Sequence, residues 1–368
     1  MPTASVNDEG AVLYYEDTGA PSQSTDYTTI ALVHGLIFHG AIFHQMIPYA
    51  AKNNLRLLFI NLRDYPGSSH YTKAELEAFE SDEECIQDAA VRDLGRQIAE
   101  FLTFIIKTED IPPITTKEGK TSGGITLLTW SMSNLISLSL LAHAQTLPEE
   151  TKQLLGTHLR SVVLHDASLA TLGVSPTLSL ASGDEPAKVL YSPLRDLSLT
   201  FPERVERFST WVSAYYQPVD DLSTLTPENA VSRSLLNDPT KPPSIQKFSQ
   251  EELEKMTDYG VLERSHDSIR RIRPQIYASN LKLAFGVGGE IEEDLALGNT
   301  KVVMAWCSGS MVDSVWAAKA VYDMIRAGKV DASQRIRREV SLEKLQGANH
   351  FVHWDEPERF VDFLLLHV

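Results

Sequence analysis

Apolar positions fall along this chain in two rhythms. Thr29-Ile30-Ala31-Leu32-Val33 and Leu55-Arg56-Leu57-Leu58-Phe59-Ile60 are short, nearly continuous apolar runs, the pattern of strands covered on both faces in a parallel sheet. Gly124 to Leu128, Ser161 to His165, Lys301 to Trp306 and Ile336 to Leu342 repeat it. Between the runs the spacing changes. Ala90, Leu94, Ile98, Phe101, Leu102 and Ile105 recur at helical intervals and predict a helix over 88–106, stopped by Ile111-Pro112-Pro113. Further helices are predicted over 134–143, about 314–327 and 357–366, and the turn signal Asn7-Asp8-Glu9-Gly10 before Val12 predicts an N-terminal hairpin. Strand alternating with helix specifies an α/β fold, a sheet with helices on both faces.

The alternation stops between about Leu169 and Asn299, where a stretch rich in Pro, Ser and charge takes over. The expected organisation is a core made of residues 1–169 and 299–368, interrupted by a cap insertion over 170–298. Within the insertion, Thr200 and Glu203 stand at capping-box spacing, and Val205, Phe208, Trp211, Val212 and Tyr215 follow at helical intervals. That aromatic face either packs on the main domain or lines a pocket.

Charge narrows the partners. With 33 Lys and Arg against 49 Asp and Glu, the net charge of −16 repels polyanions, so nucleic acid is not an expected partner. No apolar run approaches the roughly 18 residues of a membrane span. Cys85 and Cys307 allow at most one disulfide and no metal cluster, and the N-terminal residues lack a basic, then apolar leader, so a cytoplasmic home is expected.

Candidate chemistry centres on Leu127-Leu128-Thr129-Trp130-Ser131-Met132-Ser133-Asn134, a predicted strand running into a helix through small residues. A nucleophilic serine on such a strained bend needs small neighbours two places before and after it, because strand and helix approach closely there. Thr129 and Ser133 satisfy this for Ser131, whereas Ser133 as nucleophile would place bulky Leu135 in one of those positions. At the end of an earlier strand, His34-Gly35 forms a turn whose backbone makes Leu36 N–H, together with Met132 N–H, a candidate oxyanion donor; the His34 side chain reads as structural. His350, in the loop after the last strand, is the candidate general base, with His353 a structural neighbour. The acid that orients it is expected to be Asp166, at the C-terminal end of the strand 161–165, with Asp313 the alternative. Gly35, Trp130 and Trp211 are candidates to line a substrate pocket.

Together His34-Gly35, Asn61 to Ser69, Thr129 to Asn134 and Gly347 to His350 resemble the α/β-hydrolase superfamily, over about residues 10–169 and 300–368. The resemblance implies a mostly parallel sheet of about eight strands and a lid between the sixth and seventh. Val163 to Asp166 is similar to members that carry the acid after the sixth strand, including lactone-opening zearalenone hydrolases. The departures are Thr129 and Ser133 for glycines in the turn, Asn349 for a glycine before the histidine, and Ser310 where most members keep an aspartate. The expected function is cofactor-free, metal-free hydrolysis of an ester or lactone of an apolar, medium-sized small molecule through an acyl-enzyme. The alternatives are a C–C hydrolase, acyltransferase, lyase or cyclase on the same fold, and a non-catalytic ligand-binding module. Substrate and oligomeric state are not written in these motifs.

Overall fold

The structure is a computed structural model and describes residues 2–180, 186–288 and 295–367. Eight strands form one sheet: β1 (Thr3–Ser5), β2 (Val12–Asp17), β3 (Thr28–Val33), β4 (Leu55–Asn61), β5 (Ile125–Trp130), β6 (Leu159–His165), β7 (Lys301–Cys307) and β8 (Val340–Leu345). Their spatial order is β1-β2-β4-β3-β5-β6-β7-β8. β2 runs antiparallel to its two neighbours, and the pairs from β4 through β8 are parallel. β1 and β2 form the expected hairpin, in which Asn7 Oδ1 accepts the Glu9 and Ala11 amides.

The continuous apolar runs are explained by two cores, one on each face of the sheet. Ala31, Val33, Leu58, Ile60, Val162 and Leu164 point into one; Ile30, Leu32, Leu57, Phe59, Leu128 and Val163 point into the other. Alternate residues of the same strands thus serve opposite cores. The first face is covered by α1 (Glu84–Thr108), α2 (Asn134–Ala142) and α5 (Val312–Val330); the second by α6 (Pro357–His367) and the short turn over 40–46.

Two further helices, α3 (Phe201–Ser213) and α4 (Pro274–Phe285), lie in the long segment between β6 and β7. Residues 181–185 and 289–294 of the expected insertion lie outside the described residues. Thr200 donates its N–H and its hydroxyl to the Glu203 carboxylate at the start of α3. Val205, Phe208 and Trp211 are half-buried against the core that holds Trp130 and Phe351.

The last strand begins later than the apolar pattern predicts, at Val340 rather than Ile336. The reason is Arg338, whose buried guanidinium donates to the carbonyls of Ala284, Ala296, Leu297 and Thr300. Those bonds draw the preceding segment toward the end of α4, and ladder pairing starts only at Val302 and Val340.

Candidate active site

Strand register assembles the site. Val33 pairs with Thr129, Trp130 with His165, His165 with Ala305, and Cys307 with Leu345, so β3, β5, β6, β7 and β8 end along one rim of the sheet. The residues just beyond those ends are His34, Ser131, Asp166 and the loop that carries His350. Ligand sites of open parallel sheets sit at this edge.

Ser131 has φ +59°, in the left-handed region that non-glycine residues rarely occupy. The neighbours that replace glycine brace this bend. Thr129 Oγ1 donates to Asn134 Oδ1 at 2.9 Å and meets Ser137 Oγ at 3.0 Å. Ser133 Oγ accepts the Trp130 N–H at 3.0 Å and reaches the carbonyls of Trp130 and Val33. Asn134 Nδ2 then donates to Ser131 O at 2.7 Å. The Ser133 hydroxyl is therefore engaged with the backbone beneath the turn. Gly35 sits at a close approach: a Cβ there would stand 3.1 Å from Ser131 Cβ and 3.1 Å from the Trp130 ring.

Asp166, also at positive φ (+45°), meets the histidine loop. Its Oδ2 lies 2.6 Å from His350 Nδ1 and accepts a hydrogen bond from Ser310 Oγ, while its Oδ1 accepts the Cys307 N–H at 2.9 Å. Burial raises the carboxyl pKa, but the hydrogen bond and charge interaction with His350, with smaller help from His165 and Ser310, hold it below the ordinary aspartate value. An ionised Asp166 accepts a hydrogen bond from an N–H on His350 Nδ1, which leaves the lone pair on Nε2. The Trp130 ring, 1% exposed, lies 5.0 Å from the His350 ring and 4.4 Å from that of His353.

Asp313 is placed differently. Its carboxylate accepts the Leu169 N–H at 3.1 Å and pairs with Arg195 at 3.6 Å, and burial pushes its pKa up. The His34 imidazole contacts Gly35 O through Nδ1 at 2.8 Å and accepts the Leu62 N–H on Nε2 at 3.1 Å, which pins the turn carrying Gly35 and Leu36 to the end of β4. Burial drives its pKa to about 3, so it is a neutral strut. Tyr65 reinforces the same turn, its hydroxyl accepting the Ile37 N–H at 2.9 Å.

Solved structures carry this architecture over nearly the whole chain. Cfl2 from Burkholderia cenocepacia superposes with a TM-score of 0.54 at 13% identity, covering 99% of this chain and 93% of that one. A point mutant of epoxide hydrolase from Solanum tuberosum gives 0.51 at 13% identity and covers 99% of both chains. The chain has the α/β-hydrolase fold. No family model matches the sequence, and no curated protein matches it either.

In the terms of the α/β-hydrolase fold, Ser131 occupies the elbow after the fifth strand, Asp166 the end of the sixth and His350 the loop after the eighth. The Ser310 hydroxyl, noticed in the sequence only as a missing aspartate, donates to Asp166 from the end of the seventh. Asn349, noticed in the sequence only as a replaced glycine, and Asp355, which no motif singled out, also contribute. Asn349 donates to Ser213 O at 2.8 Å and to Ser244 Oγ at 2.7 Å, and Asp355 accepts from Tyr215, Ser244 and Lys247, so the His350 loop is strapped on both sides to the segment after β6. Among the described residues, no three His, Cys, Asp or Glu side chains converge to hold a metal ion, and no helix is long and apolar enough to cross a membrane. Cys85 and Cys307 are both free.

Proposed function

We propose that this chain is a serine hydrolase that opens an ester or lactone of a small, largely apolar molecule. The observation that carries the reading is the buried 2.6 Å contact between His350 Nδ1 and Asp166 Oδ2, on the same rim as a serine in a left-handed turn. In the proposed reaction Ser131 Oγ attacks the carbonyl carbon and His350 Nε2 takes its proton. Asp166 fixes the ring orientation and stabilises the imidazolium. Negative charge on the carbonyl oxygen is met by the Leu36 and Met132 amides, each such donor being worth about 3 kcal/mol in the transition state. His350 returns the proton to the leaving oxygen, and water repeats the sequence on the acyl-enzyme. No cofactor enters these steps, and residues 170–298 act as the cap over the site.

The test compares wild type with Ser131→Ala on short aryl esters and with a fluorophosphonate probe. Wild-type protein is expected to release the phenol and to be labelled once per chain at residue 131, and the variant to do neither. Equal turnover by both proteins would remove Ser131 from the mechanism. Stoichiometric ligand binding with neither turnover nor labelling would make the protein a binding module. Product analysis in labelled water separates hydrolysis from acyl transfer or cyclisation, because only hydrolysis places solvent oxygen in the product.

A further inference from the structure

Beside the candidate oxyanion position lies a cavity of about 60 Å³, several times the ~10–15 Å³ a single water requires. Leu36, Leu62, Leu94, Met132, Ile136 and Ile269 make its walls apolar. Leu36 and Met132 are also the residues whose amides are proposed to meet the oxyanion. The lining does not include Ser131 itself, so the acyl chain of a substrate held there would enter the cavity past these two side chains.

Four of the polar side chains bordering this cavity are occupied. His34 is bonded to Gly35 and Leu62, Tyr65 to Ile37, and Ser133 to Trp130 and Val33. Arg63 is held by the Glu75 carboxylate and by the carbonyls of Ser69 and His70. His266, contributed by the segment between β6 and β7, also lines the cavity, and its Nδ1 is enclosed without a partner among the described residues. An enclosed, unmatched ring nitrogen is costly unless a ligand supplies the missing bond. Burial, with Arg270 acting in the same direction, lowers the His266 pKa to about 4. A neutral imidazole suits a hydroxyl, with which it can act as donor or acceptor, rather than a carboxylate.

We propose that this cavity receives the acyl side of the substrate and that His266 reads a hydroxyl on it, making the substrates short hydroxyacyl esters. The inference rests on the serine-hydrolase reading and adds the substrate class. An apolar acyl chain would fill the walls and leave the ring nitrogen unmatched, and sites built around a hydrogen bond discriminate against analogues that lack it.

The experiment pairs 4-nitrophenyl butanoate with 4-nitrophenyl 3-hydroxybutanoate. Wild type is expected to favour the hydroxy ester by about tenfold in kcat/KM. His266→Phe should erase the preference, and His266→Gln, which keeps hydrogen-bonding capacity, should retain part of it. Calorimetric binding of both esters to Ser131→Ala, with and without His266→Phe, gives an arm independent of turnover. If neither ester is hydrolysed by wild type yet Ser131→Ala binds the hydroxy ester more tightly through His266, the catalytic reading fails and the pocket assignment holds. Equal binding of the two esters, or a preference untouched by His266→Phe, overturns the assignment whatever the turnover.

Discussion

Asp166 is held from three directions: by His350, by the Cys307 amide and by the Ser310 hydroxyl. An amide at this position would present an N–H or a weaker acceptor to His350 Nδ1 and favour the wrong tautomer, so Asp166→Asn is expected to lower kcat by ~10⁴. Asp313→Asn should leave kcat within a few-fold of wild type, because that carboxylate is bonded to Leu169 and Arg195. Ser310→Ala removes one support and should cost about tenfold in kcat, with near-wild-type KM. Steady-state kinetics on one aryl ester checks all three, and a larger loss for Asp313→Asn than for Asp166→Asn would move the acid. The position of Asp166 was legible because an acidic residue at a strand's C-terminal end is a local feature. Ser310 was not, because a serine in a loop acquires meaning only when register brings the end of β7 beside the end of β6.

At the scale of elements, the loop bearing His350 is a strap between the sheet and the segment after β6. Asn349 ties its front to Ser213 and Ser244, and Asp355 ties its back to Tyr215, Ser244 and Lys247. Tyr216 and Val219 add amide bonds to the carbonyls of Gly309 and Ser308. Part of the expected cap is therefore a fixed bracket for the loop bearing His350 and for the loop after β7. Asn349→Ala should lower kcat about tenfold through a looser imidazole while leaving KM nearly unchanged, and Asp355→Ala should cost about 1–3 kcal/mol of stability because three donors lose a buried acceptor. Kinetics and urea unfolding separate the two effects; an Asn349→Ala enzyme with wild-type kcat would show that the bracket does not position the base. The strands and major helices were legible here because burial on both faces imposes uninterrupted apolar runs. The start of β8 was misplaced because Arg338 acts through bonds to carbonyls more than thirty residues away in sequence, which no periodicity encodes.

For the molecule as a whole, protein interiors that hold neutral histidines make stability depend on pH. His34, His165 and His353 are fully buried, and burial depresses each pKa, to about 3 for the first two and well below the usual value for the third. The unfolded chain takes up protons near the ordinary histidine pKa of about 6.5, whereas the folded chain does not. Below that pH the unfolded state binds more protons, so stability is fully present above about 6.5 and falls as pH drops toward the depressed folded values. Asp166 acts in the same direction at lower pH, since its stabilising ionisation is lost on protonation; Asp313, with a raised pKa, acts in the opposite direction. Each histidine contributes at most about 1.4 kcal/mol per pH unit, giving a ceiling of about 4 kcal/mol per pH unit for the three. His353 is surrounded by the rings of Phe43, Trp130 and Phe351, so His353→Phe keeps an aromatic in an aromatic site and removes one titrating group. Urea unfolding at pH 7.5, 6.0 and 5.0 should show wild type losing stability steeply over the lower interval and His353→Phe losing measurably less. Parallel pH profiles for the two proteins would mean that His353 is protonated as readily in the folded chain as in the unfolded one.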